Sequence, residues 1–314
     1  MTEKLIKFLI KRCRLSPSNG RQSGFSLLEL LASMIIVTVI ITTILALVVD
    51  LLGTNQKETA QTDTQQEMQR AIDYIASELR EAIYIYDNRC FQGDASAGCP
   101  IGIFNYLSIP NGSVPVLAFW KLEPLPESCH QFMGQEDDPC KGLRIGGRTY
   151  SLVVYYLSTN NLSNIWTGKA RITRYQLDRF SRANTANPQL VPGYIDPDPQ
   201  GRGFAAWPYQ ATGSHTVNPA VLVDFVDVNN EARDVQCPQN YELTPSPQLA
   251  RDRLSQTNLG FYACIRRPED KKAQDALIFI RGNAKGKPGV TTDAYLPVLQ
   301  TQVMRRSVFG LSGN

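Results

Sequence analysis

The chain has 314 residues, of which 43% are hydrophobic and 19% charged, with a formal net charge of +3 and seven cysteines. At roughly 100–200 residues per domain, this length allows one or two domains, each large enough to bury a core. The apolar content and the absence of a glycine period exclude disordered and collagen-like chains, and the charge is too small for a nucleic-acid-binding domain. Only two histidines, His130 and His215, are present, so there is little material for histidine-based metal or triad chemistry.

The positive charge is concentrated at the N-terminus. Residues 1–24 contain six lysines and arginines and one glutamate, a local balance of +5. Because the whole chain carries +3, the remaining residues 25–314 carry −2. The basic character therefore belongs to the first 24 residues alone.

An uncharged apolar segment follows the basic residues. Residues 30–49 form a run of 20 without charge, proline or glycine, and about 20 apolar residues cross a bilayer as a helix. This run predicts a transmembrane helix over 25–52, with the basic residues in the cytoplasm and the rest outside. A secretory signal peptide fits less well, because its apolar core is usually about 7–15 residues long and ends at an Ala-x-Ala site. Glu29 either marks the headgroup level or has a function, since a carboxylate at this position is costly.

The residues that begin this segment resemble a known processing signal. Ser23-Gly24-Phe25-Ser26-Leu27-Leu28-Glu29 is similar to the class III signal of type IV pilins and type II secretion pseudopilins. The resemblance implies that a prepilin peptidase cleaves after Gly24, removes residues 1–24 as a leader and N-methylates Phe25. It also implies that Glu29 pairs with the Phe25 amine of a neighbouring subunit, which neutralises a carboxylate buried in a filament.

The same resemblance implies partners and a location. The partners are the prepilin peptidase, other pseudopilins in a filament, and an inner-membrane platform protein with its assembly ATPase complex. The protein would be a single-pass inner-membrane protein with a cytoplasmic leader and a periplasmic or extracytoplasmic head, and would belong to a filament after assembly.

An amphipathic helix is predicted to continue the membrane helix over residues 53–87. No proline occurs in this stretch, and one face carries apolar residues at helical spacing. A coiled-coil seam is the alternative, but five positions are too few to indicate one. We therefore expect the helix to pack on its own globular domain. The apolar positions are Met68, Ile72, Ile75, Leu79 and Ile83.

Residues 88–314 are predicted to form a β-rich head. Turn-forming residues separate short β-branched or aromatic runs, which predict strands at 103–109, 114–121, 149–157, 170–177, 221–228 and 276–281. Residues 221–228 and 233–237 read as a hairpin, and the proline-rich stretch 181–220 reads as a long insertion. The expected fold is α+β and type IV pilin-like, with a long N-terminal transmembrane helix packed on an antiparallel sheet head with long loops and disulfides.

One of the seven cysteines lies in the predicted leader, and six lie in the predicted head. Cys13 lies in the predicted leader, and the other six lie on the outward side of the membrane. Six cysteines allow fifteen connectivities, but short loops with glycine and proline favour local closure. We predict Cys90–Cys99, Cys129–Cys140 and Cys237–Cys264, each worth roughly 2–4 kcal/mol. A cysteine metal site is disfavoured because no CxxC occurs.

Other chemical signals are weak, and we expect no catalytic residues, no metal, no cofactor and no enzymatic activity. The run 282–289 resembles a phosphate-binding loop but has wrong spacing, so a basic turn is favoured. The acidic run 196–201 lacks the distal glutamate of a calcium loop, which favours an exposed turn. An aromatic group in the insertion suits either glycan or protein contact, or a small hydrophobic cluster under a loop. Its members are Arg202, Phe204, Trp207 and Tyr209.

A narrower resemblance concerns the C-terminal half. Residues 221–227, Cys237, 261–264 and 275–284 are similar to the C-type pseudopilin of cyanobacterial hormogonium polysaccharide secretion. This implies a minor pseudopilin that supports polysaccharide secretion and gliding motility and contacts the exported polysaccharide. The alternatives are a glycan-binding, adhesin-like minor pilin of a motility fibre, or a membrane-anchored extracytoplasmic enzyme.

Overall fold

The structure is a computed structural model in which the chain divides into two compact units, residues 1–53 and 54–314. The second unit contains the sheets, the disulfides and the hydrophobic core. The structure describes residues 24, 26–131, 138–143, 145–161, 164–181, 187–198, 203–209, 215–230, 235–267 and 274–305.

Helix α1, Leu27–Arg80, is 54 residues long. The predicted apolar stripe is confirmed for Met68, Ile72, Ile75 and Leu79, all of which are buried. The helix ends seven residues before the predicted boundary at 87, and Ile83 lies in strand β1, Ala82–Ile85. The run Ile-Tyr-Ile-Tyr that follows Ala82 alternates β-branched and aromatic residues, which favour a strand over a further helical turn.

A five-stranded antiparallel sheet follows the helix, with its strands in chain order. Its strands are β1, β2 (Ser113–Pro124), β3 (Arg148–Ser158), β4 (Ala170–Leu177) and β5 (Ala220–Val226). The predicted strands 114–121, 149–157 and 170–177 are confirmed, although β2 extends further than predicted.

The C-terminal part forms a second sheet of four strands in the order β11-β10-β9-β7. These are β7 (Tyr241–Thr244), β9 (Phe261–Arg266), β10 (Asp275–Ile280) and β11 (Leu299–Met304). A two-stranded ladder pairs β6 (Val228–Asn229) with β8 (Asn258–Leu259). Only β10 had been predicted, as 276–281.

The two larger sheets are joined by a side chain. The amide of Gln274 accepts a hydrogen bond from the Ile85 N–H at 3.2 Å and donates one to the Ile85 carbonyl at 2.9 Å. Since Ile85 lies in edge strand β1, Gln274 satisfies backbone groups that a neighbouring strand would otherwise satisfy.

The predicted strand 221–228 is confirmed in β5, Ala220–Val226, whereas one strand prediction and one hairpin prediction are wrong. Residues 103–109 contain a short helix, α3 (Ile103–Tyr106), because the buried residues Ile103, Tyr106 and Leu107 have helical spacing. The hairpin of 221–228 with 233–237 does not form in the described residues, because β5 pairs with β4 and β6 pairs with β8. The remaining short helices are α2 (Asn88–Gln92), α4 (Glu127–Gln131) and α5 (Pro247–Leu254).

Both faces of the five-stranded sheet are covered. Neighbouring residues of a strand point to opposite faces, so Lys121 faces helix α1 while Trp120 faces away from it. The second face is covered by residues 88–107 and the described residues of 187–217, here named the cover. Within it, the Trp207 ring centroid lies 5.2 Å from that of Trp120, and the Phe104 centroid lies 6.2 Å from that of Tyr156. The predicted insertion is therefore, in its described part, a layer of the core.

Three disulfides link the head, and they are the three pairs expected from the sequence. Cys90–Cys99 lies in the cover. Cys129–Cys140 closes the loop after β2 and packs with Leu125 and Phe180 in a small separate cluster. Cys237–Cys264 ties the segment before β7 to β9.

Candidate functional site

The predicted processing site lies at the start of helix α1. Gly24 is exposed, and in the described part of the chain no atom beyond its neighbours lies within 4 Å of the position that a β-carbon on it would occupy. Phe25 lies outside the described residues. The Ser26 carbonyl accepts hydrogen bonds from the Glu29 N–H at 2.9 Å and the Leu30 N–H at 3.1 Å, which form the first turn. Open surroundings and a residue without a side chain suit the close approach of a protease to the backbone.

Glu29 lies in the first turn of α1 and is exposed. A carboxylate there is favoured by the helix dipole, which places partial positive charge at the N-terminus. Glu29 is thus exposed in the first helical turn after the predicted cleavage site. Its pairing with another subunit remains a prediction.

The apolar part of α1 has the length and composition of a membrane-crossing helix. Four hydroxyl side chains in this part donate hydrogen bonds to backbone carbonyls of the preceding turn, so none of the four needs water as a hydrogen-bond partner. The distances are 2.8 Å for Ser33 to Leu30, 2.6 Å for Thr38 to Met34, 3.0 Å for Thr42 to Val39, and 2.8 Å for Thr43 to Ile40. Among the described residues, α1 is the one helix long and apolar enough to cross a membrane.

The outward half of α1 is anchored to the sheet by a buried carboxylate. Glu78 is only 8% exposed. It accepts hydrogen bonds from Lys121 Nζ in β2 at 2.8 Å, from Arg174 Nε and Nη2 in β4 at 2.7 Å each, and from the Tyr155 hydroxyl in β3. One helix residue is therefore bonded to three neighbouring strands.

The side chains around Glu78 keep its carboxylate in the charged form. Burial raises the pKa of Glu78, but the hydrogen bonds from Arg174, Lys121 and Tyr155 outweigh it and lower that pKa to about 2. Burial likewise opposes the charge on Arg174 and Lys121, but their bonds to carboxylates raise the pKa of each. The carboxylate is thus ionised across the physiological range and holds the helix in one register on the sheet.

Sequence reasoning missed this anchor, although one signal for it was present. Glu78 lies directly before Leu79 of the apolar stripe and three residues after Ile75, so it shares the buried side of the helix. A carboxylate at such a position needs a partner. The partners themselves, on three different strands, become apparent only from the fold.

The glycine-rich run that resembled a phosphate loop packs on α1 instead. Lys287 Nζ lies 2.9 and 3.0 Å from the two carboxylate oxygens of Glu67. A β-carbon on Gly289 would lie 2.9 Å from that of Gln56, so only glycine allows this approach. The favoured reading of a basic turn holds, and its lysine makes an internal contact with the helix.

The aromatic group of the insertion is mainly structural. Trp207 is 0% exposed, and its indole N–H donates to the Ile195 carbonyl at 3.1 Å. Phe204 stacks on Tyr84 with ring centroids 6.0 Å apart. Tyr209 is half-buried, and Arg202 lies outside the described residues. Trp207 belongs to the main hydrophobic core and Phe204 packs against it, so the structure favours a core role over both a small separate cluster and a ligand site.

Asp196, Asp198 and His215 also make contacts within the head. Asp196 pairs with Arg179 at 2.8 Å, and Asp198 accepts a hydrogen bond from the Gly203 N–H at 2.7 Å. His215 bonds the Tyr175 hydroxyl at the inner side of the cover, and burial lowers the pKa of its imidazole. His130 is an exposed residue of α4 and lies in a different segment.

Comparison with known protein families gives a match at the N-terminus. Residues 19–45 match the family described as the prokaryotic N-terminal methylation motif. No curated protein and no solved structure matches the chain significantly. The chain therefore carries a type IV pilin-like prepilin leader with an N-terminal apolar helix, and its helix-plus-sheet head is consistent with the type IV pilin-like fold. The motif implies processing by a prepilin peptidase and assembly with other pilins.

Proposed function

We propose that this protein is a minor pseudopilin, a structural subunit rather than an enzyme, of a type IV pilus-like or type II secretion-like apparatus. The observation that carries the proposal is the methylation motif at 19–45 joined to one apolar helix and a disulfide-bonded head. The narrower role, in polysaccharide export and gliding motility, is supported by the resemblance of the C-terminal segments alone.

The proposed work is mechanical. The apolar residues of α1 hold the subunit in the bilayer until a platform protein and an assembly ATPase move it into a filament. Helix–helix burial then replaces burial in lipid, and Glu29 pairs with the Phe25 amine of a neighbour. The Glu78 anchor supports this role, because it transmits a load on the helix to three strands of the head.

The test compares two carboxylates that flank the same apolar segment. Glu29→Ala should abolish recovery of the protein in sheared filaments while leaving membrane insertion unchanged, because it removes the partner of the Phe25 amine. Asp50→Ala is the matched control, since it removes a carboxylate at the other end of the segment. Equal recovery of the Glu29→Ala variant and the parent would refute the filament role.

A second measurement separates the export role from the filament role. We expect deletion of the gene to abolish extracellular polysaccharide and gliding, and we expect the parent chain, but not Glu29→Ala, to restore both. Normal secretion in the deletion strain would contradict the export role and leave the filament role standing.

A further inference from the structure

The outward half of α1 is held to the head by two contacts of very different strength. Residues 68–79 contribute Met68, Ile72, Ile75 and Leu79 to the main hydrophobic core, together with the Glu78 anchor. Residues 54–67 contribute only two buried side chains, Ala60 and Thr64. The two stretches of one helix therefore differ sharply in what fixes them.

The weaker contact is made by residues 282–296, here named the clasp. Ala60 packs with Ala284, Val290 and Ala294 in a small cluster separate from the main core. Three of these four side chains are a single methyl group, so little apolar area is buried and the stabilisation is correspondingly small. The Lys287 side chain is 12% exposed, but its partner Glu67 is 41% exposed, so water screens the Glu67 charge and limits what the ion pair adds.

The fit between clasp and helix is nevertheless close. A β-carbon on Gly282 would lie 3.0 Å from Thr64 Cγ2 and 3.1 Å from Met68 Cγ. A β-carbon on Gly289 would lie 2.9 Å from Gln56 Cβ. The clasp thus lies directly on the helix through two glycines, and any added atom would separate the surfaces.

We propose that the clasp is a detachable contact, which opens and releases residues 54–67 of α1 while residues 68–80 remain docked. Opening exposes the small Ala60 cluster and the sides of Thr64 and Met68 that face Gly282. Release of residues 68–80 would instead expose the main core and leave the charges of Lys121 and Arg174 without Glu78. Under a load along the helix, the clasp yields first and the Glu78 anchor last.

This inference goes beyond the proposed function and does not depend on it. Clasp opening is a property of the single folded chain, before any cleavage or assembly. Failure of the experiment below therefore leaves the filament role standing, and failure of the filament test leaves the clasp standing.

The experiment uses two buried alanines of the same helix as reporters. Ala60, 5% exposed, lies under the clasp, and Ala76, 2% exposed, lies in the main core. Each is replaced by cysteine in the full-length chain, purified in detergent without reductant and carrying Cys13→Ser, and the rate of reaction with N-ethylmaleimide is measured. We expect Ala60→Cys to react at least tenfold faster than Ala76→Cys. Equal rates would overturn the proposal, because both sites would then open only by global unfolding.

A pair of glycine substitutions provides the second arm. Gly289→Ala should accelerate labelling of Ala60→Cys roughly tenfold and leave Ala76→Cys unchanged, because the added methyl overpacks against Gln56. Gly142→Ala is the matched control: Gly142 also has a positive φ, +86°, but no atom lies within 4 Å of its β-carbon position. An equal effect of the two substitutions would overturn the proposal. If Gly289→Ala accelerates both reporters, the comparison of Ala60→Cys with Ala76→Cys in the parent chain decides.

Discussion

Replacing Glu78 by glutamine keeps the shape of the side chain and removes its charge. Lys121 then remains buried and Arg174 half-buried without the Glu78 charge. Lys121 keeps Glu123 at 2.7 Å, and Arg174 keeps Gln176 at 2.5 Å. Breaking a buried ion pair by removing one partner typically costs about 3–5 kcal/mol. Because both cations keep a second partner, we expect a loss at the lower end, about 3 kcal/mol.

The shifted pKa of Glu78 gives a similar estimate of the stability loss and also predicts how stability depends on pH. Its value falls from 4.5 to about 2 on folding, which corresponds to roughly 3 kcal/mol. Because the folded pKa is the lower one, this stabilisation is fully present above pH 4.5 and is lost progressively as pH falls through 2. The parent should therefore lose stability between these pH values, and Glu78→Gln should lack that component.

The assay is denaturant unfolding of the full-length protein in detergent with disulfides intact. Trp120 and Trp207, both fully buried, report through their fluorescence. Glu67→Gln is the control, because its partly exposed pair with Lys287 should contribute at most about 1 kcal/mol. A Glu78→Gln variant as stable as Glu67→Gln at pH 7 would refute the anchor.

Three further predictions concern the cover, the junction of the sheets and the disulfides. Trp207→Ala should lower the free energy of unfolding by about 3–5 kcal/mol, measured in guanidinium, because it empties the space between the cover and the sheet; an effect below 1 kcal/mol would contradict a structural role. Gln274→Leu should cost about 1–3 kcal/mol in the same assay by leaving the N–H and carbonyl of Ile85 unpaired, and unchanged stability would show that water replaces the amide. Peptide mapping without reduction should recover three disulfide-linked peptides within the predicted couples, whereas a Cys99–Cys129 peptide would contradict the pairing.

The features predictable from the sequence are those that depend on local chemistry. The helix long and apolar enough to cross a membrane follows from residues 30–49 alone, because a bilayer needs a continuous apolar run. Strand β4 was predicted at its observed bounds, Ala170–Leu177, because its β-branched and aromatic residues lie between turns. The disulfide pairs were accessible because short loops limit which cysteines can meet.

The missed strands lack that local signal. β11, Leu299–Met304, is an edge strand of the second sheet and contains two glutamines and a threonine. One face of this strand is exposed to water. β7 is only four residues long and is held by its pairing with β9. In both cases the partner strand provides the stabilisation, and pairing between distant segments is invisible in a local pattern.

The candidate site likewise has one part that a local motif predicts and one part that only the fold brings together. Gly24, Phe25 and Glu29 are recognised from a contiguous motif, and the comparison with known families matches that motif. The Glu78 anchor joins one helix residue to three strands, up to 96 positions away in the chain. The buried position of the carboxylate could be predicted from the helical spacing. Its cationic partners could not, because whether Lys121 and Arg174 face the helix depends on the register of their strands.

The most direct test of the whole account is the N-terminus of the processed protein. N-terminal sequencing and intact mass should show a chain that begins at N-methylated Phe25, after removal of the +5 leader. Gly24→Ala should keep the precursor mass of 35.0 kDa. A parent protein that begins at Met1, or that is cleaved beyond residue 52, would contradict the account, because either result removes the anchored, methylated helix on which the filament role depends.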